Sequence, residues 1–356
     1  MTYGKRFQLF GMILAFVVLY VSAAISAGEK RKIGVIVPTL SAQFWDNYIK
    51  FMEQGAKALD INLVVLNADN KPDQMIKAIE DLVAQNADGI IYTPYWATAA
   101  SGLTLAKDAD IPVIFTDTYA DFPPQGRRFP NYIAFIGPSD EDAGYQMAKK
   151  LFDTMQPDAK GKKVIGVVNG TAGTSVAIDR RKGLERALAE HPEVVVVGEV
   201  DGNFVRDTSQ TVFESLYQGN PDIKGVWAAN GGTATGVMSA IKNAGKRPGE
   251  DILVVGMDLN PENVVAVKNG DLLFDIGGHW LQGGFALVTM FDYLNGHLVS
   301  ADKANIKLDL LPLTKGLVPQ FEADFPGGVP EYDFRARSRT LNPKADVAIF
   351  EMKYSK

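Results

Sequence analysis

The sequence predicts an α/β protein made of two Rossmann-like, doubly wound lobes with parallel sheets. Three observations lead there. Short β-like runs alternate with helical patterns along almost the whole chain, the mark of parallel sheets built from right-handed crossovers. That series runs twice, divided by the polar, turn-rich stretch Pro157-Asp158-Ala159-Lys160-Gly161-Lys162. About 330 residues beyond the amino-terminal leader exceed a single typical core.

The expected strands are residues 32–37, 62–66, 89–93, 112–116 and 132–136, then 163–168, 194–200, 225–228, 252–257 and 274–276. The first is a buried apolar run that ends in Pro38-Thr39-Leu40-Ser41. Phe44-Trp45 stand on the loop that follows, where an open parallel sheet places its ligand crevice. A helix is predicted next over 46–59, with Ile49, Met52, Ala56 and Leu59 on one face. Another covers 73–85, with Met75, Ile76, Ile79, Leu82 and Val83 aligned in the same way. Past Gly316 the regularity fades, and Pro319, Pro326-Gly327-Gly328 and Pro330 mark a loop-rich tail.

Residues 1–27 have the build of a signal peptide: Lys5 and Arg6, an apolar stretch of 13 residues from 9 to 21, and the small-residue end Ser22-Ala23-Ala24-Ile25-Ser26-Ala27. That stretch is shorter than the roughly 20 residues of a membrane span; the alternative is an uncleaved anchor. Export to the periplasm is the expectation. The chain has no cysteine, which excludes disulfides, thiolate metal sites, a catalytic Cys and lipid attachment at the leader's end. His191, His279 and His297 match no metal-ligand spacing. Loss of the leader takes the formal charge from −6 to −8, an acidic balance that argues against nucleic acid.

Catalytic motifs are missing as well. There is no Gly-x-Ser-x-Gly elbow, no His-Glu-x-x-His, no phosphate loop and no Gly-x-Gly-x-x-Gly. Gly231-Gly232-Thr233-Ala234-Thr235-Gly236 is glycine-rich but lacks that spacing and a basic residue. The expectation is a binding protein rather than an enzyme, without cofactor or metal.

Several segments resemble the ribose-binding type of periplasmic binding protein (type I), whose core is shared with lactose-repressor ligand domains. They are the opening strand with PTLSAQFW, VIFTD at 113–117, NGTAGTSVAIDRRKG at 169–183, WAANGGTATG at 227–236 and VVGMD at 254–258. No helix-turn-helix precedes the core, so the repressor branch is disfavoured. The resemblance implies a three-crossover hinge near 138–140, 277–279 and 308–311. The amino-terminal lobe would be 30–137 with 279–308, the carboxy-terminal lobe 138–278 with 309–316, and the tail 317–356.

It also implies a ligand cleft. Phe44 and Trp45 stand where the family clamps its ligand between aromatics, whose large stiff faces suit the C–H face of a sugar ring. Asp117 ends the fourth strand as a hydroxyl acceptor, with Thr118 where ribose binders carry an arginine. A second family arginine aligns with Ile178, so two planar five-donor forks are lost and ribose itself is disfavoured. Arg180 matches an arginine that usually holds structure, although it or Asp179 could reach inward. Asn230 and Asp258 align with an amide and an acid of the second lobe; helix capping is the alternative for both. Phe204 aligns with a further aromatic, and Tyr95, Trp96 and Tyr119 add rings nearby. His279 replaces a family glutamine at the second crossover; it could donate to the ligand, titrate near neutral pH, or simply pack in the hinge.

The function implied is capture of a small polar, sugar-like ligand by a monomer, for delivery to an inner-membrane ABC permease. The alternative is a receptor that reports to a membrane histidine kinase or chemoreceptor, suggested by the tail with Tyr332-Asp333-Phe334-Arg335-Ala336-Arg337.

Overall fold

The computed structural model describes residues 30–345 and 352–355; the leader read at 1–27 lies outside the described residues. The described residues from Arg31 onward form one compact unit. Its first half supplies β1 (Lys32–Val37), α1 (Gln43–Leu59), β2 (Asn62–Asn67), α2 (Pro72–Ala84), β3 (Gly89–Tyr92), α3 (Ala99–Asp108), β4 (Val113–Thr116) and β5 (Tyr132–Pro138). The chain then enters a second series: α4 (Asp140–Thr154), β6 (Lys163–Asn169), α5 (Ser175–Glu190), β7 (Val194–Asp201), α6 (Arg206–Gly219), β8 (Gly225–Ala228), α7 (Gly231–Asn243), β9 (Leu253–Val255), α8 (Pro261–Asn269) and β10 (Asp275–Gly277). Last come α9 (Gln282–Leu294), β11 (Asn305–Leu308), β12 (Leu311–Leu313), α10 (Val318–Asp324) and α11 (Phe334–Arg337).

Two sheets carry the lobes. The first has six strands in the order β11-β5-β4-β3-β1-β2, and every pair in it is parallel. The second has the parallel order β7-β6-β8-β9. Bridges from Val255 to Phe274 and from Asp258 to Gly277 attach β10 to it, and β10 pairs antiparallel with β12. The chain passes between the sheets after Pro138, after Gly277 and between Leu308 and Leu311. β1, β3, β4 and β5 are almost wholly buried, as parallel strands covered by helices on both faces must be.

Local chemistry explains the boundaries. Pro72 opens α2 at a position where its missing N–H costs nothing. Thr174 caps α5 through its side chain, which accepts from the amide of Ala177 at 3.2 Å. α1 begins at Gln43, earlier than the sequence pattern indicates, because the Ala42 carbonyl already accepts from the amides of Trp45 and Asp46. Phe44 and Trp45 therefore sit in the first turn of that helix, not on the preceding loop. β9 is shorter than the expected 252–257: Ile252 pairs only as an isolated bridge with Pro248, and Gly256 and Met257 lie past the end of the pairing with β8. β11 and β12 were not legible as strands: each is three or four residues long, and Lys307 and Pro312 interrupt their apolar character.

The tail is not merely loop. Its helix α10 packs on α8, and Lys268 reaches Glu322 at 2.7 Å. Phe334 then buries itself against α1 and α9, where a side chain on Gly55 or Gly284 would strike its ring. Phe51, Phe285 and Tyr332 complete this aromatic cluster. Asp292 fixes the next residues by accepting from the Ser338 hydroxyl at 2.6 Å, the Arg339 amide at 2.8 Å and both the amide and hydroxyl of Thr340. Replacing Phe334 with alanine should cost about 3–5 kcal/mol, the usual loss for a buried phenylalanine, read as a lower denaturant midpoint. A loss below about 1 kcal/mol would show that the socket collapses without harm.

Candidate functional site

The carboxyl ends of both sheets face one another across a cavity of about 470 Å³. From the first lobe it is lined by the start of α1 with Phe44 and Trp45, by Tyr95 after β3 and by Asp117 after β4. From the second lobe come Val176 and Arg180 on α5, Asn203 and Phe204 after β7, Asn230 at the head of α7, and Asp258 after β9. His279, where the chain returns to the first lobe, closes the circuit. Phe44 and Trp45 meet edge to face at 4.8 Å, and Phe44 also lies 4.6 Å from the His279 ring, a geometry that holds aromatic walls rigid.

Five lining residues have backbones at positive φ: Asn70 and Asn203, and with them Asp117 at φ 65°, Phe204 at φ 61° and Asp258 at φ 113°. Each lies just past a strand end, and non-glycine residues rarely adopt such angles without compensation. The compensation for Asp117 is visible. Its amide donates to Oε1 of Gln282 at 3.1 Å, and its carboxylate accepts from the Tyr95 hydroxyl at 3.0 Å and from Gln282 Nε2 at 3.3 Å. Asp258 accepts from the Gly231 amide at 3.0 Å and the Asn260 amide group at 3.3 Å. Phe204 has its ring over Gly170, where a Cβ would collide with it, and 5.5 Å from the Arg180 guanidinium.

Arg180 is the cation at the centre. Its Nε donates to Asp140 at 2.8 Å, its Nη1 to the Ala229 carbonyl at 2.8 Å, and its Nη2 lies 3.5 Å from His279 Nε2. Gly144 lets α4 approach α5 closely enough for this pairing, because a Cβ there would collide with the Arg180 carbonyl. Burial pushes Asp140 and Asp258 up to about 7 in spite of Arg180, and raises Asp117 too. Asp275, behind Asp258 and fully buried, is raised well above the carboxylate range by burial and by that neighbour. His279 is held well below its ordinary value by burial and by Arg180, so it does not titrate near neutrality.

The structure thus gathers nine of the residues singled out from sequence: Phe44, Trp45, Tyr95, Asp117, Arg180, Phe204, Asn230, Asp258 and His279. Thr118 is buried but outside the lining, and its hydroxyl has no hydrogen-bond partner among the described residues. Asn230 both lines the cavity and caps α7, its Oδ1 accepting from the Thr233 amide at 2.8 Å. Ile178 is exposed, and Asp179 turns to Tyr119 rather than to the cavity. Sequence reasoning missed Gln282 and Asp140. The signal for Gln282 was present, a lone amide inside the apolar run WLQGGFALV at 280–288. Among the described residues no group of His, Cys, Asp and Glu could hold a metal ion, and no helix is long and apolar enough to cross a membrane.

A model of the periplasmic binding protein domain matches residues 33–297. The ribose import binding protein of Salmonella typhimurium is 30% identical over 261 residues, covering 73% of this chain and 83% of that one. The galactofuranose-binding protein of Escherichia coli is 32% identical over 221 residues, 61% of this chain and 67% of that one. Among solved structures, a periplasmic sugar-binding protein from Pseudomonas fluorescens superimposes with a TM-score of 0.78 at 27% identity, over 89% of this chain and 96% of that one.

The electrostatics set a pH dependence. Asp258 and Asp275 keep protons in the folded state that the unfolded chain releases near pH 4, so their contribution is complete below about pH 4 and is lost as pH rises, through about 7 for Asp258. His279 acts the opposite way: it stays neutral when folded, which favours unfolding only below about pH 6.5. Two carboxylates outweigh one imidazole, so the ligand-free protein should melt higher at pH 5.5 than at pH 8, by on the order of a few kcal/mol of stability. A midpoint that rises with pH across this window would contradict the assignment.

Proposed function

The chain belongs to the periplasmic binding protein family, and on that premise we propose that it captures a sugar or sugar-like molecule in the interlobe cavity and hands it to an ABC transporter. It is a binding protein, not an enzyme, and it works in the periplasm; the leader read at 1–27 would carry it there. The observation that supports the ligand class is the lining itself. Aromatic faces at Phe44, Trp45 and Tyr95 stand on one lobe, while Asn230 and Asp258 offer an amide and a carboxylate from the other. Such a set suits a ring with an apolar face and hydroxyl edges. Both arginines that line the cavity among the described residues are committed to acids, Arg180 to Asp140 and Arg206 to Glu262, which favours a ligand without phosphate or carboxylate.

The moving bodies in this reading are residues 30–137 with 279–308 and residues 138–278 with 309–316. Ligand favours the closed arrangement because only there do both lobes touch it. The matched relatives include import binding proteins, which favours a transporter over a sensor as the recipient.

Screening the leaderless protein by thermal shift against pentoses, hexoses, furanoses and polyols tests the proposal. At about 100 times the dissociation constant a true ligand adds roughly 2.7 kcal/mol of stability. Silence across the library would remove the sugar reading. For a ligand so found, Asp117→Ala should weaken binding by about tenfold or more, since hydrogen bonds to a charged group contribute about 1.5–3 kcal/mol. Unchanged affinity by calorimetry would take Asp117 out of the contact set.

A further inference from the structure

At the lining itself the Glu262 amide donates across the lobes to Gln43 Oε1 at 3.5 Å; beside the cavity and outside its lining, Tyr119 also joins the two lobes directly. Tyr119, two positions past Asp117 on the first lobe, donates its amide to the Ser175 hydroxyl at 3.0 Å and its own hydroxyl to Asp179 Oδ2 at 2.6 Å. Ser175 and Asp179 both belong to α5 of the second lobe. The Tyr119 ring is itself steadied within its own lobe, edge-on to Phe135 at 5.6 Å and beneath the Lys307 ammonium at 4.3 Å. Lys182 holds the other oxygen of Asp179 at 2.8 Å, which orients that carboxylate toward the tyrosine.

We propose that Tyr119, Ser175 and Asp179 form a latch that holds the lobes shut around whatever occupies the cavity, and that Tyr119 and Asp179 are positioning residues for capture. The proposal rests on the reading of the cavity as a closing sugar site. Neither partner of the latch lines the cavity, whereas their neighbours Asp117, Val176 and Arg180 do. Both hydrogen bonds join one lobe to the other, so separation of the lobes breaks them together. The bond from the tyrosine hydroxyl is charge-assisted, the stronger kind, and it lies at a partly exposed rim where water competes. The latch therefore slows release without choosing among ligands. Selectivity stays with the cavity wall, and residence time is set partly outside it.

The test compares wild type with Tyr119→Phe and Asp179→Asn by stopped-flow release of two different sugars identified in the screen. Tyr119→Phe keeps the ring that Phe135 and Lys307 contact. Each variant should release both sugars about three- to tenfold faster, by a common factor and with an unchanged association rate. The double variant should be no worse than Tyr119→Phe alone, because that change removes the bond which Asp179→Asn, whose amide oxygen still accepts, only weakens. Unchanged release rates would overturn the latch, as would a factor that differs between the sugars, which would place Tyr119 in the ligand's own contacts. Should wild type bind no sugar, the function proposed above fails by itself and the latch is read without ligand. The cysteine-free chain permits dyes at Val195→Cys and Leu298→Cys, exposed sites on opposite lobes. A shorter closed-state dwell time in Tyr119→Phe by single-molecule energy transfer supports the latch, and an equal one overturns it.

Discussion

The buried pair of Arg180 and Asp140 is the interaction on which the cavity depends. Both side chains are almost completely removed from water, and an isolated charge in such a place costs several kcal/mol. The pair is tolerable because the guanidinium is also satisfied by the Ala229 carbonyl and lies over the Phe204 ring. Its positive field offsets part of the burial penalty of Asp117, Asp140 and Asp258 at once. Three carboxylates crowded without it would repel one another and draw in protons. One arginine thereby fixes the polarity of the whole floor.

Backbone strain serves the same end. Asp117, Phe204 and Asp258 adopt left-handed conformations at the mouths of three different strands, and each is held by partners that come from elsewhere in the fold. Gln282 clamps Asp117 from the first turn of α9, Gly170 leaves room for Phe204, and the amide of Gly231 grips Asp258. The side chains are thus aimed before any ligand arrives, which lowers the ordering cost of binding.

Much of this was legible in the sequence, for identifiable reasons. Strands β1, β3, β4, β5, β6 and β8 stand out because parallel strands covered on both faces read as uninterrupted apolar runs, and the edge strands β2 and β7 are apolar runs too although they are only partly buried. The apolar pattern marks only the strand ends; the individual residues of the cavity wall were recoverable mostly through the family resemblance, which aligns them near those ends. What escaped obeys no such rule. Gln282 and Asp140, and the contact that Tyr119 makes beyond being a nearby ring, act through partners up to 165 positions away in the chain, and no local pattern encodes a partner at that distance. β11 and β12 are too short to show a period of two. The start of α1 was misplaced because Ala42, with no capping side chain, gives no written sign of a helix beginning. Asn230 shows that a capping role and a place in the cavity wall need not exclude each other.

The aromatic socket of Phe334 has a consequence for the order in which the molecule can be completed. The first lobe lacks an edge strand until β11 joins β5, lacks a covering helix until α9 arrives, and lacks a filled gap between α1 and α9 until Phe334 enters it. All three come from the last quarter of the chain. A ribosome delivers the amino-terminal segments first, yet the second lobe, apart from β12 and the packing of α10 on α8, is encoded in one stretch and can close before them. The lobe that is synthesised earliest is therefore the one finished last, and until then its apolar surface waits for partners far along the polypeptide. Such long-range dependence makes for slow folding, and a chain cut before Phe334 would leave its socket unfilled in the half of the molecule farthest from the cut in sequence.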